Sequence, residues 1–588
     1  MRRLLVSNRG EIALRIMRTA KEMGLETVAV YSEADRDAAH VRYADMAFLI
    51  GPAPPAQSYL NVDHLLGAAR SSGADAVHPG YGFLAENAAF ANACTGAGLC
   101  WVGPHAGAID AMGDKLRARR TMIEAGVPVV PGGSAPLASV ADAEQAVKEY
   151  GLPLALKASG GGGGKGLKIA QSAREVRSAF STARREAEAY FGNGTIYAER
   201  YLENPKHVEL QILADKHGNV VHVGERDCSL QRRHQKLWEE TPAWINEGVR
   251  ERLREAGVRA ARAIGYDSVG TIETLVLGDD FYFLEMNTRI QVEHTVTEMT
   301  SGLDLVREQI RVAAGEPLGY TQNDILSRGH AIEVRVNAED PAADFRPSPG
   351  TLTTYREPAG MGVRVDSAAA AGFIVRPEYD SLIAKLIVWD TTREHALSRL
   401  RRALDDYHVA GVATTLGFLR ALCDEPEIIG AAYGTATLER FAERYGQRGA
   451  TAVESAHTAP AGNAVEPATI RVEVNDRLFT VRLLDLPLRS SGAGAPASRT
   501  KAPRPNAALS RNVAMHAHTG EIAAPMHGVV VELPVEPGAK IAQGQVVAVI
   551  EAMKMMNEIH AHRAGTVKRV MVEEGTTVEP NTPLILLE

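Results

Sequence analysis

Apolar and polar positions follow different rhythms in different parts of this chain of 588 residues. In residues 1–112, the short apolar runs 4–7 and 27–31 predict strands, and the helical period of 11–23 between them predicts a helix. Further strands are predicted at 74–78 and 99–102. Strands that alternate with helices predict a parallel sheet with crossover helices, and such sheets bind ligands at the carboxyl ends of their strands.

Residues 521–588 contain one pattern of apolar positions and turns twice. Gly528 recurs as Gly565 and Gly538 recurs as Gly575, at a constant spacing of 37 residues. Apolar and polar residues alternate between turns that contain Gly or Pro, which is typical of short strands. Two such halves predict a small pseudo-symmetric β-sandwich, with the residues between the halves at an exposed hairpin tip.

The region between these two ends divides by pattern as well. Residues 329–445 show a mixed α/β pattern, with a strand predicted at 330–336 and a helix at 393–404. Residues 446–520 are rich in Ala, Pro, Ser and Gly, a composition typical of mobile linkers. Within this linker, apolar runs on both sides of Asn475-Asp476 predict a hairpin at 470–484.

Composition excludes several classes of protein. Apolar residues make up 45% of the chain, and 64 basic against 72 acidic residues give a net charge of −8, so nothing indicates nucleic-acid binding. The sequence contains no apolar stretch long enough for a membrane span, and its first residues lack the apolar core of a signal peptide. The four cysteines lack metal-ligand spacing and are too few for a disulfide framework. We therefore expect a cytoplasmic protein of about three to four domains.

A glycine-rich run at 159–166 carries the first candidate chemistry. It lies between two predicted strands, but Ser159 and Gly166 break the Walker A pattern, which needs Gly first and Ser or Thr after the lysine. The alternatives are a flexible surface loop and a hairpin whose backbone N–H groups close over phosphates. We favour the hairpin, with Lys157 and Lys115 as candidates to contact phosphate oxygens.

A second polar cluster follows a short apolar strand. On an extended backbone Glu285, Asn287 and Arg289 share one face, and Glu273 lies on a neighbouring predicted strand. Two carboxylates and an amide oxygen suit Mg²⁺ that bridges nucleotide phosphates. One glutamate on a strand is more often a solvent-facing charge, but the density of polar residues here favours a metal site.

Lys554 stands between the two halves of the repeat. A lysine held out on a rigid module suits covalent attachment of a carrier cofactor, whereas an isolated lysine is usually an ordinary surface residue. The run Glu551-Ala552-Met553-Lys554-Met555 resembles the biotin site of biotin carboxyl carrier domains. Lipoyl carriers share the fold but typically have Asp before the lysine and Ala after it, so the methionines favour biotin.

The chain as a whole resembles a biotin carboxylase, an ATP-grasp enzyme, fused to its biotin carrier domain. The matching motifs are Ser7-Asn8-Arg9-Gly10-Glu11-Ile12, His78-Pro79-Gly80-Tyr81-Gly82-Phe83-Leu84, Met112-Gly113-Asp114-Lys115, the glycine-rich run 159–166, Arg226-Asp227-Cys228-Ser229, Gln231-Arg232-Arg233-His234-Gln235-Lys236, residues 285–294, and Glu333-Val334-Arg335-Val336-Asn337-Ala338-Glu339-Asp340. The resemblance implies a multidomain α/β fold with a parallel-sheet N-terminal domain (1–112), an ATP-grasp domain (113–317), a mixed α/β C-terminal carboxylase domain (329–445), a flexible linker with a possible hairpin (446–520), and an all-β flattened-sandwich biotinyl domain (521–588).

The resemblance also implies residue roles at the matching positions. ATP would be bound by Lys115, Lys157, Gly162, Gly163, Gly164, Lys165, Gly166, Glu199, Arg200, Tyr201, Leu202, His207, Gln231, His234, Glu273, Leu275 and Glu285. Mg²⁺ or Mn²⁺ would be held by Glu273, Glu285 and Asn287, and bicarbonate by Lys236, Arg289, Gln291 and Val292. Glu293 would be the general base, Arg335 would face the ureido oxygen of biotin, and biotin would be attached to Lys554.

Elementary chemistry agrees with these roles. Bicarbonate is a small anion and a weak nucleophile, so it needs cations, and Lys236 and Arg289 supply a point charge and a planar fork. Deprotonation by Glu293 would let bicarbonate attack the γ-phosphate, while Mg²⁺ spreads the developing charge. Arg335 would then stabilise negative charge on the ureido oxygen.

Several positions depart from the family's pattern, among them Trp238 and Thr241, where Val and Ala are commoner. Thr295 follows His294 where relatives usually have Pro, and the loss of Pro is expected to loosen that turn. Met556 follows Met555 where relatives often have Glu or Gln. We expect biotin attachment to survive the change at Met556.

The resemblance implies the α subunit of an acyl-CoA carboxylase of the acetyl- or propionyl-CoA type, which would serve fatty acid and lipid metabolism. A separate carboxyltransferase β subunit is expected, because only about 140 residues follow residue 445 of 588. The other expected partners are a biotin protein ligase and a second α subunit. Three alternatives stay open: the biotin carboxylase subunit of a split pyruvate carboxylase, a non-catalytic biotin carrier, and an ATP-grasp ligase that makes peptide-like bonds.

Overall fold

The computed structural model of the protein describes residues 1–160, 166–233, 235–446, 469–474, 477–482, 520–553 and 555–588. Six predicted site residues lie outside the described residues, as does most of the predicted linker: Gly162, Gly163, Gly164, Lys165, His234 and Lys554. Among the helices within the described ranges, none has the length and apolar character needed to cross a bilayer.

The N-terminal region forms the predicted parallel sheet. Its strands are β1 (Arg3–Val6), β2 (Glu26–Tyr31), β3 (Met46–Leu49), β4 (Ala76–His78) and β5 (Cys100–Trp101), in the order β3-β2-β1-β4-β5. Its helices are α1 (Gly10–Glu22), α2 (Ala39–Tyr43), α3 (Val62–Ser72), α4 (Ala88–Gly96) and α5 (Ala106–Gly113). The central strand β1 is fully buried at Leu4, Leu5 and Val6, because helices cover both faces. The sequence pattern missed β3, an edge strand on which intermediate and exposed residues alternate.

The carboxyl ends of β1 and β4 meet at one edge of this sheet. The Asn8 side-chain amide donates to the carbonyl oxygens of Pro79 (2.7 Å) and Tyr81 (2.8 Å). A small hollow of about 70 Å³ opens beside Asn8 and Tyr81. The two predicted loops therefore lie together, as expected for the ligand-binding edge of a parallel sheet.

A small three-stranded unit carries the glycine-rich run. It comprises β6 (Leu154–Ala158), β7 (Leu167–Ala170) and β8 (Ile196–Arg200), with β6 in the centre. The helices of this part of the chain are α6 (Lys115–Glu124), α7 (Val140–Tyr150) and α8 (Val176–Phe191). Strands β6 and β7 pair antiparallel, with Lys157 opposite Leu167. The two strands that flank the glycine-rich run thus form the predicted hairpin.

An eight-stranded sheet forms the centre of residues 206–390. Its strands are β9 (Lys206–Ala214), β10 (Val220–Arg232), β11 (Gln235–Thr241), β12 (Val269–Leu277), β13 (Asp280–Asn287), β14 (His330–Asn337), β19 (Val363–Ser367) and β21 (Leu382–Asp390), in the order β13-β12-β9-β10-β11-β14-β21-β19. The helices around it are α9 (Glu247–Ala263), α10 (His294–Ser301), α11 (Leu305–Ala313), α12 (Arg393–Asp406), α13 (Leu416–Leu422) and α14 (Pro426–Ile429), and residues 437–446 are also helical. Short strands complete this part: β15 (Glu339–Asp340), β16 (Arg346–Pro347), β17 (Gly350–Thr351), β18 (Thr354–Arg356), β20 (Ile374–Val375) and β22 (His408–Ala410).

This large sheet crosses the boundary that the sequence predicts between the ATP-grasp and C-terminal domains. Strands β11 and β14 pair antiparallel, with Trp238 opposite Val334 and Glu239 opposite Glu333. Both strands bury apolar residues in one core cluster that includes Trp238 and Val334. The two regions therefore share a sheet and a core, which a pattern read along the sequence does not reveal.

The predicted hairpin in the linker region is present as backbone pairing. Strands β23 (Thr469–Val474) and β24 (Arg477–Arg482) pair antiparallel in an unbroken register from Thr469 opposite Arg482 to Val474 opposite Arg477. The residues at its tip and the rest of 446–520 up to residue 519 lie outside the described part.

The C-terminal sandwich follows the sequence repeat. Its strands are β25 (Glu521–Ala523), β26 (Gly528–Glu532), β27 (Lys540–Ile541), β28 (Val546–Ala552), β29 (Met555–His560), β30 (Gly565–Val570), β31 (Thr577–Val578) and β32 (Pro583–Leu587). They form two sheets, β25-β32-β30-β27 and β29-β28-β26-β31. Each half contributes two strands to the sheet of the other half: β25 and β27 join β30 and β32, while β29 and β31 join β26 and β28. This exchange interlocks the two halves and confirms the predicted pseudo-symmetric sandwich.

Candidate active site

One cavity of about 590 Å³ collects the predicted site residues. It lies where the glycine-rich hairpin faces the large sheet. Every predicted site residue within the described ranges lines it: Lys115, Lys157, Gly166, Glu199, Arg200, Tyr201, Leu202, His207, Gln231, Lys236, Glu273, Leu275, Glu285, Asn287, Arg289, Gln291, Val292, Glu293 and Arg335. The predicted roles of these residues remain predictions, but their placement in one cavity makes a single active site the simplest interpretation.

Lys236 is the charged centre of the deep end of the cavity. Its ammonium group lies 2.6 Å from Glu209 Oε2, 2.6 Å from Glu293 Oε1 and 3.1 Å from Glu273 Oε1. The Lys236 side chain is only 12% exposed, and the three carboxylates are buried. One cation thus holds three carboxylates that come from three different elements.

The charges of this group control how its carboxylates ionise. Burial alone would raise the pKa of Glu293, but Lys236 and Arg335 lower it below its ordinary value. Burial also opposes ionisation of Glu273, and Lys236 and His207 lower its pKa well below its ordinary value. Both carboxylates are therefore ionised at neutral pH, which leaves Glu293 able to accept a proton.

Arg335 joins Glu293 to a further buried carboxylate. Its guanidinium donates from Nε to Glu239 Oε1 (2.7 Å) and from Nη2 to Glu293 Oε2 (3.0 Å). Burial raises the pKa of Glu239 to about 7, even though Arg335 opposes that rise. The Glu293 carboxylate is consequently held at both oxygens, by Lys236 on one side and Arg335 on the other.

Arg289 is fixed at the rim of the cavity. It donates to Glu86 Oε2 (2.8 Å) in the N-terminal region and to Asn287 Oδ1 (2.8 Å) at the end of β13. Asn287 in turn donates to Glu273 Oε1 (2.9 Å). Gln291 donates to the same Glu273 oxygen at 2.8 Å. These contacts link Arg289 and Gln291 to Glu273, which also contacts Lys236, and all three donors line the cavity.

Cations and an apolar floor line the other end of the cavity. Lys115 lies 2.7 Å from Glu285 Oε2, and Lys157 forms an ion pair with Glu199. His207 Nε2 lies 3.1 Å from Glu273 Oε2, so burial lowers and Glu273 raises the pKa of His207, with a net rise. Lysines can contact the phosphates of a nucleotide, and apolar residues such as Leu202 and Leu275 lie beside them. This combination suits a bound nucleotide.

The predicted metal ligands lie side by side. Glu273 on β12 pairs directly with Glu285 on β13 in the antiparallel register, and Asn287 ends the same strand. Carboxylate and amide oxygens are the donors that Mg²⁺ prefers. A second arrangement of potential ligands, His207 with Glu209 and Glu273, surrounds the Lys236 ammonium, which already supplies the positive charge there.

Sequence patterns missed three residues that build this site. Glu209 is fully buried and forms ion pairs with Lys236 and Arg226. Glu239 forms an ion pair with Arg335, and Glu86 forms one with Arg289. Glu209 could have been found, because it shares the period-two polar face of β9 with His207. Glu239 and Glu86 gain their roles only from strand pairing and from packing between distant segments.

The hairpin tip of the C-terminal sandwich lies at this cavity. Met553 lines the cavity, is only 4% exposed, and belongs to the apolar cluster of the carboxylase part. It adopts a left-handed conformation (φ 51°), as the turn between β28 and β29 requires. Met553, which precedes the expected exposed position of Lys554, therefore packs against another part of the same chain. Lys554 itself lies outside the described residues.

Thr295 is anchored, although the loss of Pro predicts a looser turn. It lies in the first turn of α10, is fully buried, and its hydroxyl donates to Glu333. The second position of a helix has no intrahelical partner for its N–H, so Pro would also fit there. The hydroxyl instead supplies a link to β14 that a proline ring cannot make.

Replacement of Thr295 by valine tests this link. We expect Thr295→Val to lower the free energy of unfolding by about 1–3 kcal/mol, because the buried Glu333 carboxyl loses a hydrogen-bond donor. The matched control is Thr300→Val in the same helix, whose hydroxyl bonds only to carbonyls of that helix. Denaturant unfolding measures both. Equal effects of the two substitutions would show that the Glu333 bond has no special weight.

Comparison with known proteins assigns a family to each part of the chain. The family profile described as "Biotin carboxylase, N-terminal domain" matches residues 1–109, and "Carbamoyl-phosphate synthase L chain, ATP binding domain" matches 114–321. "Biotin carboxylase C-terminal domain" matches 333–440, and "Biotin-requiring enzyme" matches 520–587.

Individual relatives agree with these matches. The biotin-dependent acyl-coenzyme A carboxylase alpha3 subunit of Mycobacterium leprae is 43% identical over 587 residues, which cover 99% of this chain and 98% of the relative. A pyruvate carboxylase subunit of Methanothermobacter thermautotrophicus is 51% identical over 421 residues, covering 71% of this chain and 86% of the relative.

A solved structure has the same carboxylase fold. The dimeric biotin carboxylase domain of Hydrogenobacter thermophilus 2-oxoglutarate carboxylase, in complex with MgADP and bicarbonate, is 48% identical in sequence. The similarity covers 75% of this chain and 97% of that chain, with a TM-score of 0.72.

Proposed function

This chain belongs to the biotin carboxylases that carry a fused biotinyl domain, and we propose that it is the α subunit of an acyl-CoA carboxylase. It is a ligase that takes biotin, ATP and Mg²⁺ as cofactors. Within the proposal, it carboxylates the biotin on its own Lys554, and a separate carboxyltransferase β subunit passes the carboxyl group to an acyl-CoA.

One observation carries the acyl-CoA assignment. The similarity to an acyl-CoA carboxylase α subunit extends over both the carboxylase part and the carrier part, 99% of this chain. The similarity to a pyruvate carboxylase subunit reaches only 71% of this chain. A subunit of a split pyruvate carboxylase remains the second candidate, because a pyruvate carboxylase subunit is 51% identical over 421 residues.

The residues of the cavity support a two-step reaction. Lys236, Arg289 and the Gln291–Val292 segment hold bicarbonate, and Glu293 removes its proton so that an oxygen attacks the γ-phosphorus of ATP. The bond between that phosphorus and the ADP oxygen breaks, which yields carboxyphosphate and ADP. Mg²⁺, held by Glu273, Glu285 and Asn287, neutralises phosphate charge when bound.

Arg335 serves the second step. Its guanidinium contacts the carboxylate of the proposed base Glu293 at 3.0 Å, and both residues line the cavity. A planar fork of donors suits stabilisation of negative charge on the ureido oxygen of biotin. Tyr81 and Asn8, at the nearby edge of the N-terminal sheet, border the hollow that opens on the same side.

The remaining partners belong to the same proposal. A biotin protein ligase modifies Lys554, and the carboxylase part pairs with a second copy, as in the dimeric relative. A cytoplasmic location agrees with the four free cysteines, of which Cys94, Cys228 and Cys423 are buried. Sedimentation of the purified chain tests the dimer, and the mass of the intact chain tests the biotin.

The decisive experiment measures ATP hydrolysis by the purified chain with Mg²⁺, with and without bicarbonate. We expect strict dependence on bicarbonate. A folded sample without that dependence would leave only the non-catalytic carrier. Reconstitution with a copurifying β subunit then separates the two acceptors: acetyl-CoA or propionyl-CoA should accept the carboxyl group, whereas transfer to pyruvate alone would favour the second candidate.

A substitution at Met553 tests the contact between the hairpin tip of the C-terminal sandwich and the cavity separately from the reaction chemistry. Met553→Gln keeps the size of the side chain but removes about 1.5–3 kcal/mol of favourable free energy from burial of an apolar group. Carboxylation of the attached biotin should therefore slow about 10- to 100-fold. Bicarbonate-dependent ATP cleavage with free biotin should not change. Met553→Leu is the matched apolar control. Equal rates of self-carboxylation in both variants would mean that the buried tip makes no contribution.

A further inference from the structure

Lys385 is a buried lysine that the reaction described above does not use. It lies on β21, its side chain is fully buried, and its ammonium group donates to the backbone carbonyl oxygen of Val292 at 3.0 Å. That carbonyl belongs to the peptide that joins Val292 to Glu293. A buried ammonium group needs partners to offset the loss of hydration, so this placement calls for an explanation.

Acidic groups from two other elements balance the charge. Glu11 Oε1 on α1 lies 3.3 Å from the Lys385 nitrogen, and Asp366 Oδ2 on β19 lies 3.8 Å away. Glu11 also accepts a hydrogen bond from Tyr81. Lys385 therefore ties the N-terminal sheet and the C-terminal strands to one carbonyl in the segment between β13 and α10.

This segment carries the catalytic base on a short irregular stretch. It runs from the end of β13 at Asn287 to the start of α10 at His294. Glu293 is the residue before the helix, and its carboxylate is held by Lys236 and Arg335. These two cations must also serve the substrates, so they cannot alone fix the base. The contact from Lys385 acts on the backbone carbonyl that precedes Glu293 and does not involve the Glu293 carboxylate.

We propose that Lys385 is a positioning residue for the Glu293 base. It fixes the Val292–Glu293 peptide, and with it the base, at the distance that proton transfer from bicarbonate requires. The proposal rests on the proposed role of Glu293. It assigns Lys385 no contact with bicarbonate, nucleotide or biotin.

The first test replaces Lys385 by methionine, which has similar length and no charge. We expect kcat for bicarbonate-dependent ATP cleavage to fall about 10- to 100-fold, because displacements of about 1 Å at a reacting group have effects of that order. The affinity for ATP, measured by calorimetry, should stay within about twofold. Lys216→Met is the matched control, since Lys216 also donates to a backbone carbonyl, that of Ala313 at 2.8 Å, far from the cavity.

A second variant guards against a simple failure to fold. Lys385→Met combined with Asp366→Asn removes one buried cation and one buried anion, so the net charge of the group is unchanged. We expect this pair to bind ATP and to show the same loss of kcat, while Asp366→Asn alone retains activity. Normal kcat in the folded pair would overturn the proposal.

A mutant cycle with Glu293→Gln separates positioning from general structure. If Lys385 acts through Glu293, Lys385→Met should reduce the residual activity of Glu293→Gln by less than about twofold. Losses that multiply would overturn the proposal. The proposed function fails in a different way, because the unmodified chain itself would then lack bicarbonate-dependent ATP cleavage.

Discussion

Replacement of Glu293 by glutamine should lower bicarbonate-dependent ATP cleavage by about 10²- to 10⁴-fold, the range that general bases contribute. Glutamine keeps the shape of the side chain and an oxygen for Lys236 or Arg335, but it cannot accept the bicarbonate proton. The two cations contact Glu293 at 2.6 and 3.0 Å, so the variant should keep their positions. Steady-state ATP hydrolysis and calorimetric ATP binding measure the two effects, and ATP affinity should not change.

Glu339→Gln is the matched control for this substitution. Glu339 is also buried, 2% exposed, and it bonds Asn337 and Ser381 instead of the catalytic cations. The activity of the Glu339→Gln variant should stay within about threefold of that of the unmodified chain, which corresponds to a difference in activation free energy below ~0.7 kcal/mol. Activity of Glu293→Gln in the same range as this control would exclude Glu293 as the base.

The low pKa of Glu293 has a consequence for this mechanism. A base acts best when its pKa lies near the working pH, yet Lys236 and Arg335 hold the pKa of Glu293 below its ordinary value. Both cations are also the groups that would hold bicarbonate and biotin. When they turn to the substrates, the Glu293 carboxylate loses stabilisation and becomes a stronger base. Substrate binding and activation of the base are thereby linked through the same two side chains.

Those predicted site residues that lie close together along the chain also lie together in the structure. The run from Glu285 to Glu293 ends β13 and forms the segment before α10, so its neighbours in sequence are also neighbours in space. Glu239 and Lys385 could not be found in this way. Their partners, Arg335 and Val292, lie 96 and 93 positions away in the chain. Strand pairing brings Glu239 to Arg335, and packing of the segment before α10 against β21 brings Val292 to Lys385.

Fold prediction succeeded and failed for similar reasons. The repeat of 521–588 predicted the sandwich because each half carries its own turns and apolar positions. The continuous sheet across β11 and β14 was missed, because the pairing of two strands that lie far apart in the chain leaves no pattern in either strand alone. The buried Met553 was missed because burial against a distant part of the chain leaves no local pattern.

Replacement of Lys236 by methionine should remove activity and weaken the fold at once. Three buried carboxylates, Glu209, Glu273 and Glu293, would lose their shared cation. Removal of one partner of a buried ion pair lowers the free energy of unfolding by about 3–5 kcal/mol. We expect a decrease near 3 kcal/mol, because Arg226, His207 and Arg335 still contact these carboxylates. Bicarbonate would also lose its point charge, so ATP cleavage should fall by at least about 10²- to 10³-fold.

The pH dependence of this loss has a defined sign. In the unmodified chain the pKa values of Glu273 and Glu293 lie below the ordinary 4.5, so their ionised forms stabilise the fold above that pH. The difference in unfolding free energy between the two proteins should therefore be full above pH 4.5 and shrink as the pH falls below it. Lys206→Met, which removes a one-to-one ion pair with Asp227 at 2.9 Å, is the control and should retain activity. Denaturant unfolding from pH 4 to 8 checks the sign: a difference that grows toward low pH, or a Lys236→Met variant as active as the control, would mean that Lys236 is not the charge that holds this site together.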